Sequence, residues 1–319
     1  MTVSKTGFYT HEDCRKHEMG PGHPECPERL DAIQDRLLVS GVSDALEHLE
    51  APLASLNDIE LAHDRLHVAA LRGLTLRLVE EQAAGGPEHT SLDSDTSINA
   101  HTWTAALRAA GAAMAATDAV LAGELENAFC MVRPPGHHAT RSKAMGFCFF
   151  NNVAVAAKYA LQRHNLQRVA VIDFDVHHGN GTEDILAGDA RALMCSFFQH
   201  PFYPYSGDHE PAANMCNVPV PAYTRGMDIR EIVEMMWIPR LEEFKPELIF
   251  ISAGFDAHRE DDMGQLGLTE QDYTWITQRV KDVARRYSKG RIVSCLEGGY
   301  MMGPLARSVE AHLRVLADL

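Results

Sequence analysis

The stretch RVAVIDFDVHHGNG, residues 168–181, decides how this chain is read. Its first half is a continuous apolar run, the pattern of a strand buried on both faces. Its second half is crowded with acids, histidines and glycines, as befits a loop beyond the end of that strand. The same sequence of events recurs along the chain. Apolar runs at Ala128–Val132, Ala192–Phe197, Leu248–Ser252 and Arg291–Leu296 read as further strands. Helical patterns run over Pro27–Ser40, Asp64–Gln82, Thr102–Ala122, Asn152–Arg163, Arg230–Phe244, Glu270–Tyr287 and Pro304–Leu316. Short doubly buried strands separated by helices imply a parallel sheet in an α/β fold. Gly85-Gly86-Pro87 and the segment around His209 to Asn217 read as loops and no linker stands out, so residues 1–319 are taken as one domain.

In an open parallel sheet, ligands bind beyond the carboxyl ends of the strands. Four strand ends here carry ionisable or glycine-rich clusters: Arg133 to His138, Asp173 to Gly181, Gly254 to Asp256, and Glu297 to Tyr300. One such cluster is chance; four at corresponding positions describe a site. In extended chain, alternate side chains share a face, so Asp175 and His177 reach one point while Val176 turns away. A carboxylate and an imidazole at that spacing make half of a divalent-metal site, and Asp256, at another strand end, is the natural third ligand. Three protein ligands with a position left open mark a catalytic metal. The plainer alternative is that Asp175 and His177 merely cap the helix opening near Thr182.

His137 and His138 follow Pro-Pro-Gly on a rigid turn, where two histidines suit acid–base work on a metal-bound water; the alternative is a second pair of ligands. Asp173 shares the face of Asp175 and is placed to orient one of these histidines, with Asn180 orienting the other. Tyr300 follows two glycines that let the backbone turn its hydroxyl inward, toward a developing oxyanion.

Composition narrows the function further. At 319 residues, 45% hydrophobic and 23% charged, the chain can bury a large core. A formal net charge of −15 argues against a nucleic-acid surface, and is weakly favourable to a cationic substrate. The apolar stretch Ala105 to Gly123 is interrupted by Arg108 and Asp118 and is mostly alanine, so it is a core helix and not a membrane span. The seven cysteines are scattered without a CxxC, and no targeting segment follows Met1; both point to a reducing, cytoplasmic setting. No GxGxxG follows the first strand, which removes a nicotinamide dehydrogenase.

Taken together, RPPGHH (133–138), GFCFFNN (146–152), DFDVHHGNGT (173–182), SAGFDAH (252–258), LEGGY (296–300) and the N-terminal GHPECPERL (22–30) resemble the zinc-dependent histone deacetylase family. The likeness is greatest to its class II branch and to the acetoin-utilisation and acetylpolyamine relatives. It implies the arginase–deacetylase α/β fold with a central parallel sheet of about eight strands, and Zn²⁺ on Asp175, His177 and Asp256. By the same resemblance His138 is general base and acid, His137 its charge-stabilising partner, and Tyr300 the group that polarises the acyl carbonyl. Gly146, Phe147, Tyr203, Met263 and Gly299 fall along the substrate channel, and Asp95 resembles the rim carboxylate. A monovalent cation, usually K⁺, is implied at the side chains of Asp173 and Ser196 with the carbonyls of Asp175, His177 and Phe197.

Two departures matter for the substrate. Tyr203 stands where a phenylalanine is usual, and Met263 where polyamine-selective relatives place a glutamate, although Arg259 to Asp262 still supplies acids nearby. The resemblance implies a deacetylase acting on N-acetyl-lysine-type amides, with an acetylpolyamine amidohydrolase as the alternative. A more remote reading is the two-metal ureohydrolase of arginase type, in which His137, His138 and Tyr300 have no role. A non-catalytic acyl-lysine binding module would have lost one of those groups, and none is missing.

Overall fold

Continuous apolar runs flanked by helices have one way to satisfy their backbone without exposing it, which is to pair with one another under helical cover. The computed structural model, which describes residues 5–319, pairs them in that way. Its strands are β1 (Thr6–Thr10), β2 (Leu46–Glu50), β3 (His89–Ser91), β4 (Ser97–Asn99), β5 (Asn127–Cys130), β6 (Val169–Asp173), β7 (Ala192–Gln199), β8 (Met215–Val220), β9 (Leu248–Ala253) and β10 (Ile292–Leu296). Eight form one sheet in the order β2-β1-β5-β10-β9-β6-β7-β8, while β3 and β4 pair as a small antiparallel hairpin. Every neighbouring pair in the large sheet is parallel.

This order positions the site. The chain builds one half of the sheet up to β5, crosses to the other half at β6, and returns to fill the middle with β9 and β10. The four central strands are therefore β5, β10, β9 and β6. Their carboxyl ends, at Cys130, Leu296, Ala253 and Asp173, each lead into one of the four polar clusters. Every residue of β5, β6, β9 and β10 is buried, as continuous apolar strands require.

The helices over Thr102–Ala122, Asn152–Arg163 and Glu270–Tyr287 lie where the periodicity puts them. Thr102–Ala122 is long and apolar enough to cross a membrane, but 72% of its most apolar window is buried inside the fold. The segment read as a loop around His209 to Asn217 enters β8 at Met215. β1, β2, β3, β4 and β8 lie outside the apolar runs read as strands. β2 and β8 are the two edges, and edge strands need only one apolar face: β2 reads Leu-Glu-His-Leu-Glu, and β8 tolerates Pro219 because no partner needs its N–H. The helix expected over Arg230–Phe244 starts earlier, at Gly226, and passes through a π turn at Val233–Trp237. Pro239, which lacks an N–H and crowds the carbonyl four residues back, supplies the reason for the irregularity.

Candidate active site

Asp175, His177 and Asp256 converge at the ends of β6 and β9, with one ligand atom from each lying within 4.8 Å of the others and all three residues buried. They are the one such trio among the described residues. Nδ1 of His177 is the shared vertex, 3.0 Å from Asp175 Oδ1 and 3.2 Å from Asp256 Oδ2. The carboxylates are held from behind by backbone: Gly298 N donates to Asp175 Oδ2 at 3.0 Å, and Val176 N to Asp256 Oδ1 at 2.9 Å. Neither Asp175 nor His177 caps a helix, since Asn180–Leu186 begins at Gly179 with no side-chain cap. Gly298 must be glycine, because a Cβ there would lie 2.0 Å from Asp256 Oδ2 and 2.6 Å from Asp175 Oδ2.

The residues fit a dication. Asp256 Oδ2 is buried without a hydrogen-bond partner of its own, since His177 Nδ1, 3.2 Å away, is shared with Asp175 Oδ1; that is costly for a lone protein oxygen and normal for a ligand. Burial and the neighbouring Asp175 push the Asp256 carboxyl up to about 7. Burial alone would lower His177, yet the two carboxylates carry it to about 9. The cluster thus holds a proton against its own burial, and one positive ion among an imidazole and two carboxylates relieves the same repulsion.

The two histidines of the Pro-Pro-Gly turn sit beside this group, their ring centroids 4.0 Å apart and tilted by 42°, and they are differently supported. His137 Nδ1 lies 3.1 Å from Asp173 Oδ2, and its Nε2 lies 3.7 Å from Asp175 Oδ2. Burial pulls His137 down, but the two carboxylates outweigh it and hold its pKa well above the ordinary value. His138 Nδ1 lies 2.7 Å from Asn180 Oδ1, a neutral partner. Burial, then His137 and His177, hold His138 well below the ordinary value. One histidine is kept charged and its neighbour neutral.

A cavity of about 230 Å³ opens above them, lined by Asp95, His138, Gly146, Phe147, His177, Phe202, Tyr203, Asp262, Met263 and Tyr300. Phe147 and Tyr300 meet edge to face at 5.9 Å, and Tyr203 lies edge-on to His138 at 5.2 Å. Gly146 keeps the passage open: a Cβ there would meet the His138 ring at 2.5 Å and the Tyr203 hydroxyl at 2.9 Å. Burial, then the Asp256 charge, keep the Tyr300 hydroxyl protonated well above its ordinary range. Asp95 sits in the turn of the β3–β4 hairpin, where burial and Asp93 push its carboxyl up. Gly299 lies outside this lining, its carbonyl turned instead to Arg29 Nε at 2.6 Å. Asp173 and Ser196 are buried register partners across β6 and β7.

The family model described as the Histone deacetylase domain matches residues 23–316 of this chain. The chain belongs to the histone deacetylase family. It is 38% identical to a "Probable deacetylase" of Archaeoglobus fulgidus, over 92% of this chain and 81% of that one. It is 37% identical to a "Histone deacetylase-like amidohydrolase" of Pseudomonas aeruginosa, covering 93% and 82%. "Polyamine deacetylase HDAC10" of Homo sapiens is 34% identical, over 95% of this chain but only 47% of that longer protein. Among solved structures, the HDA15 HD domain superposes with a TM-score of 0.90 at 32% identity, covering 99% of this chain and 90% of that one. The fold is the histone deacetylase fold, and the chain is a hydrolase acting on amide bonds.

Several residues of the site were not singled out from sequence. Glu297, at the end of β10, accepts from the backbone N–H groups of Gly136 at 2.6 Å and His137 at 3.1 Å, so it fixes the turn that carries both histidines. Asp261 accepts from the N–H groups of Tyr300 and Met301 at 2.7 and 3.1 Å. Beneath Tyr300 lies a fully buried network. Glu25 pairs with Arg133 and, at 3.1 Å, with Arg29, whose guanidinium lies 4.9 Å over the Tyr300 ring and donates to the carbonyls of Glu297 and Gly299. Phe202 stacks on His177 at 5.4 Å.

Proposed function

We propose that residues 1–319 form one catalytic domain, a zinc-dependent deacetylase that hydrolyses N-acetyl-lysine-type amides in the cytoplasm. What supports this reading is the convergence, on one narrow cavity, of the Asp-His-Asp trio, a neutral histidine and a protonated tyrosine. Zinc on Asp175, His177 Nδ1 and Asp256 would supply Lewis acidity toward the acyl carbonyl and lower the pKa of a water beside it.

The chain's own groups do the rest. With Nδ1–H of His138 donated to Asn180, its Nε2 carries the lone pair and takes the proton from the attacking water. Tyr300 donates its hydroxyl to the oxygen on which negative charge develops. The water oxygen bonds to the acyl carbon, the C–N bond breaks, and His138 returns the proton to the leaving nitrogen, giving acetate and a free amine. His137, held positive by Asp173 and Asp175, offsets negative charge beside the reacting carbon. Potassium on Asp173, Ser196 and the carbonyls of Asp175, His177 and Phe197 would brace these strand ends from below.

For the substrate, Asp95 at the rim is placed to accept backbone N–H bonds that a peptide has and a polyamine lacks, and Met263 offers no charge to a secondary ammonium. The second reading, an acetylpolyamine, is favoured by Asp262, an exposed carboxylate on the same cavity with no side-chain partner among the described residues. The deciding experiment compares kcat/KM of the zinc-loaded enzyme for an acetyl-lysine tripeptide, N8-acetylspermidine and acetylputrescine, in wild type and Asp95→Asn. The tripeptide is expected to lead and to lose its lead in Asp95→Asn. An acetylpolyamine preference untouched by Asp95→Asn overturns the substrate; hydrolysis of none of the three overturns the deacetylase.

A further inference from the structure

His178 follows the ligand candidate His177 and, by the alternation of an extended chain, points to the other side. There it is buried among three polar side chains. Its Nε2 lies 2.9 Å from Glu183 Oε2, and its Nδ1 lies 2.8 Å from the hydroxyl of Ser206. Asn217 Nδ2 also lies 3.3 Å from this Nε2; with Nε2–H donating to Glu183, Nδ1 is left to accept from Ser206 Oγ–H. Serine, histidine and acid are in the order of a nucleophilic triad, but Ser206 is absent from the cavity lining, whereas Phe202 and Tyr203 of the same loop are on it.

That loop, between β7 and β8, is anchored at its end, where Asn214 donates to the carbonyls of Leu186, Asp189 and Ala192 and Ala213 accepts from Arg240, and His200 pairs with Asp208 at 3.6 Å; its middle is held more sparsely. Among the described residues, the one backbone hydrogen bond formed within 201–211 outside regular structure is Tyr205 N to Phe202 O at 2.7 Å. At its far side Gly207 comes down on the histidine so closely that a Cβ would lie 2.8 Å from His178 Cδ2 and 2.5 Å from Phe198 Cζ. The loop is thus pinned by side chains to the residue beside His177, while its own Phe202 stacks on His177 and its Tyr203 closes on His138.

We propose that Ser206, His178 and Glu183 are positioning residues that fix the Phe202–Tyr203 wall of the cavity against the catalytic group. The inference rests on the deacetylase reading. The relay touches no reacting atom, so it acts on how well substrate is gripped, more than on the chemical step.

The test uses zinc-loaded Ser206→Ala, Ser206→Thr, Glu183→Ala and the Ser206→Ala/Glu183→Ala double variant, with kcat and KM for an acetyl-lysine tripeptide, zinc content and Tm. Loss of one hydrogen bond is expected to raise KM roughly three- to tenfold in Ser206→Ala, with kcat within about twofold and zinc content unchanged. Ser206→Thr restores KM because it keeps the hydroxyl. The double variant is no worse than the worse single one, as members of one chain are not additive. An unchanged KM in Ser206→Ala, a rise that threonine does not reverse, or additive losses overturn the proposal. Failure of the deacetylase reading looks different: a wild-type protein that holds zinc and hydrolyses no acyl amide, which removes this inference with it.

Discussion

Glu25→Gln is the perturbation that best isolates what lies beneath the site. Glu25, Arg29 and Arg133 have no exposed side-chain surface, and the one carboxylate serves both guanidinium groups. Burial works against its charge, but Arg133, then His17 at 3.6 Å and Arg29, overcome that and pull its pKa from an ordinary 4.5 to about 2. Such a depression corresponds to about 3 kcal/mol of folded-state stability. The cost of leaving one partner of a buried pair uncompensated, about 3–5 kcal/mol, agrees. With an unfolding entropy of about 0.7 kcal/mol per kelvin for a chain of this length, the variant should melt about 5 °C below wild type. The sign of the pH dependence follows. Because the folded pKa is depressed, the stability is present above pH 4.5 and drains away as pH falls toward 2, so the difference between variant and wild type should shrink on acidification. Arg29 also seats the Tyr300 ring, so kcat should fall, but by less than when the Tyr300 hydroxyl itself is removed. Calorimetry at pH 7 and at the lowest pH where both proteins melt reversibly, alongside kcat, is the assay. A Tm within 1 °C of wild type at pH 7 would refute the claim that these charges depend on each other.

Replacing Asp175, His177 or Asp256 with alanine should abolish tight zinc binding and chelator-sensitive turnover; two equivalents of tightly bound transition metal in active wild type would sink the single-metal site. Tyr300→Phe should keep its zinc and melt near wild type while losing ~10²–10³ in kcat, since one oxyanion donor is typically worth that much; kcat within a few-fold of wild type removes the donor role. His138→Ala should lose at least as much as Tyr300→Phe, and more than His137→Ala, as read from initial rates at neutral pH. Near wild-type turnover in His138→Ala contradicts its acid–base role.

What the sequence revealed and what it hid have the same physical origin. A strand buried on both faces must be apolar along its whole length, so β5, β6, β9 and β10 announce themselves, and the polar residues that break each run mark its carboxyl end. Because those four are the central strands, the clusters after them had to meet, and topology brings Asp175, His177, Asp256, His137, His138 and Tyr300 to one end of the sheet. β2 and β8 carry no such signal, since an edge needs only half the burial. The support beneath the site is hidden for another reason. Arg133 meets Glu25 from 108 positions away, and Arg29 meets Gly299 from 270, so no local period records them. GHPECPERL and RPPGHH contain all three residues but not their pairing; the local trace is a glutamate and an arginine four apart at a helix start, usual on solvated surfaces and here wholly buried. Ser206 and His178 leave even less, a common serine and the second of two histidines. Residues that perform chemistry need unusual side chains in unusual places and stand out; residues that hold them need only reach, which folding supplies.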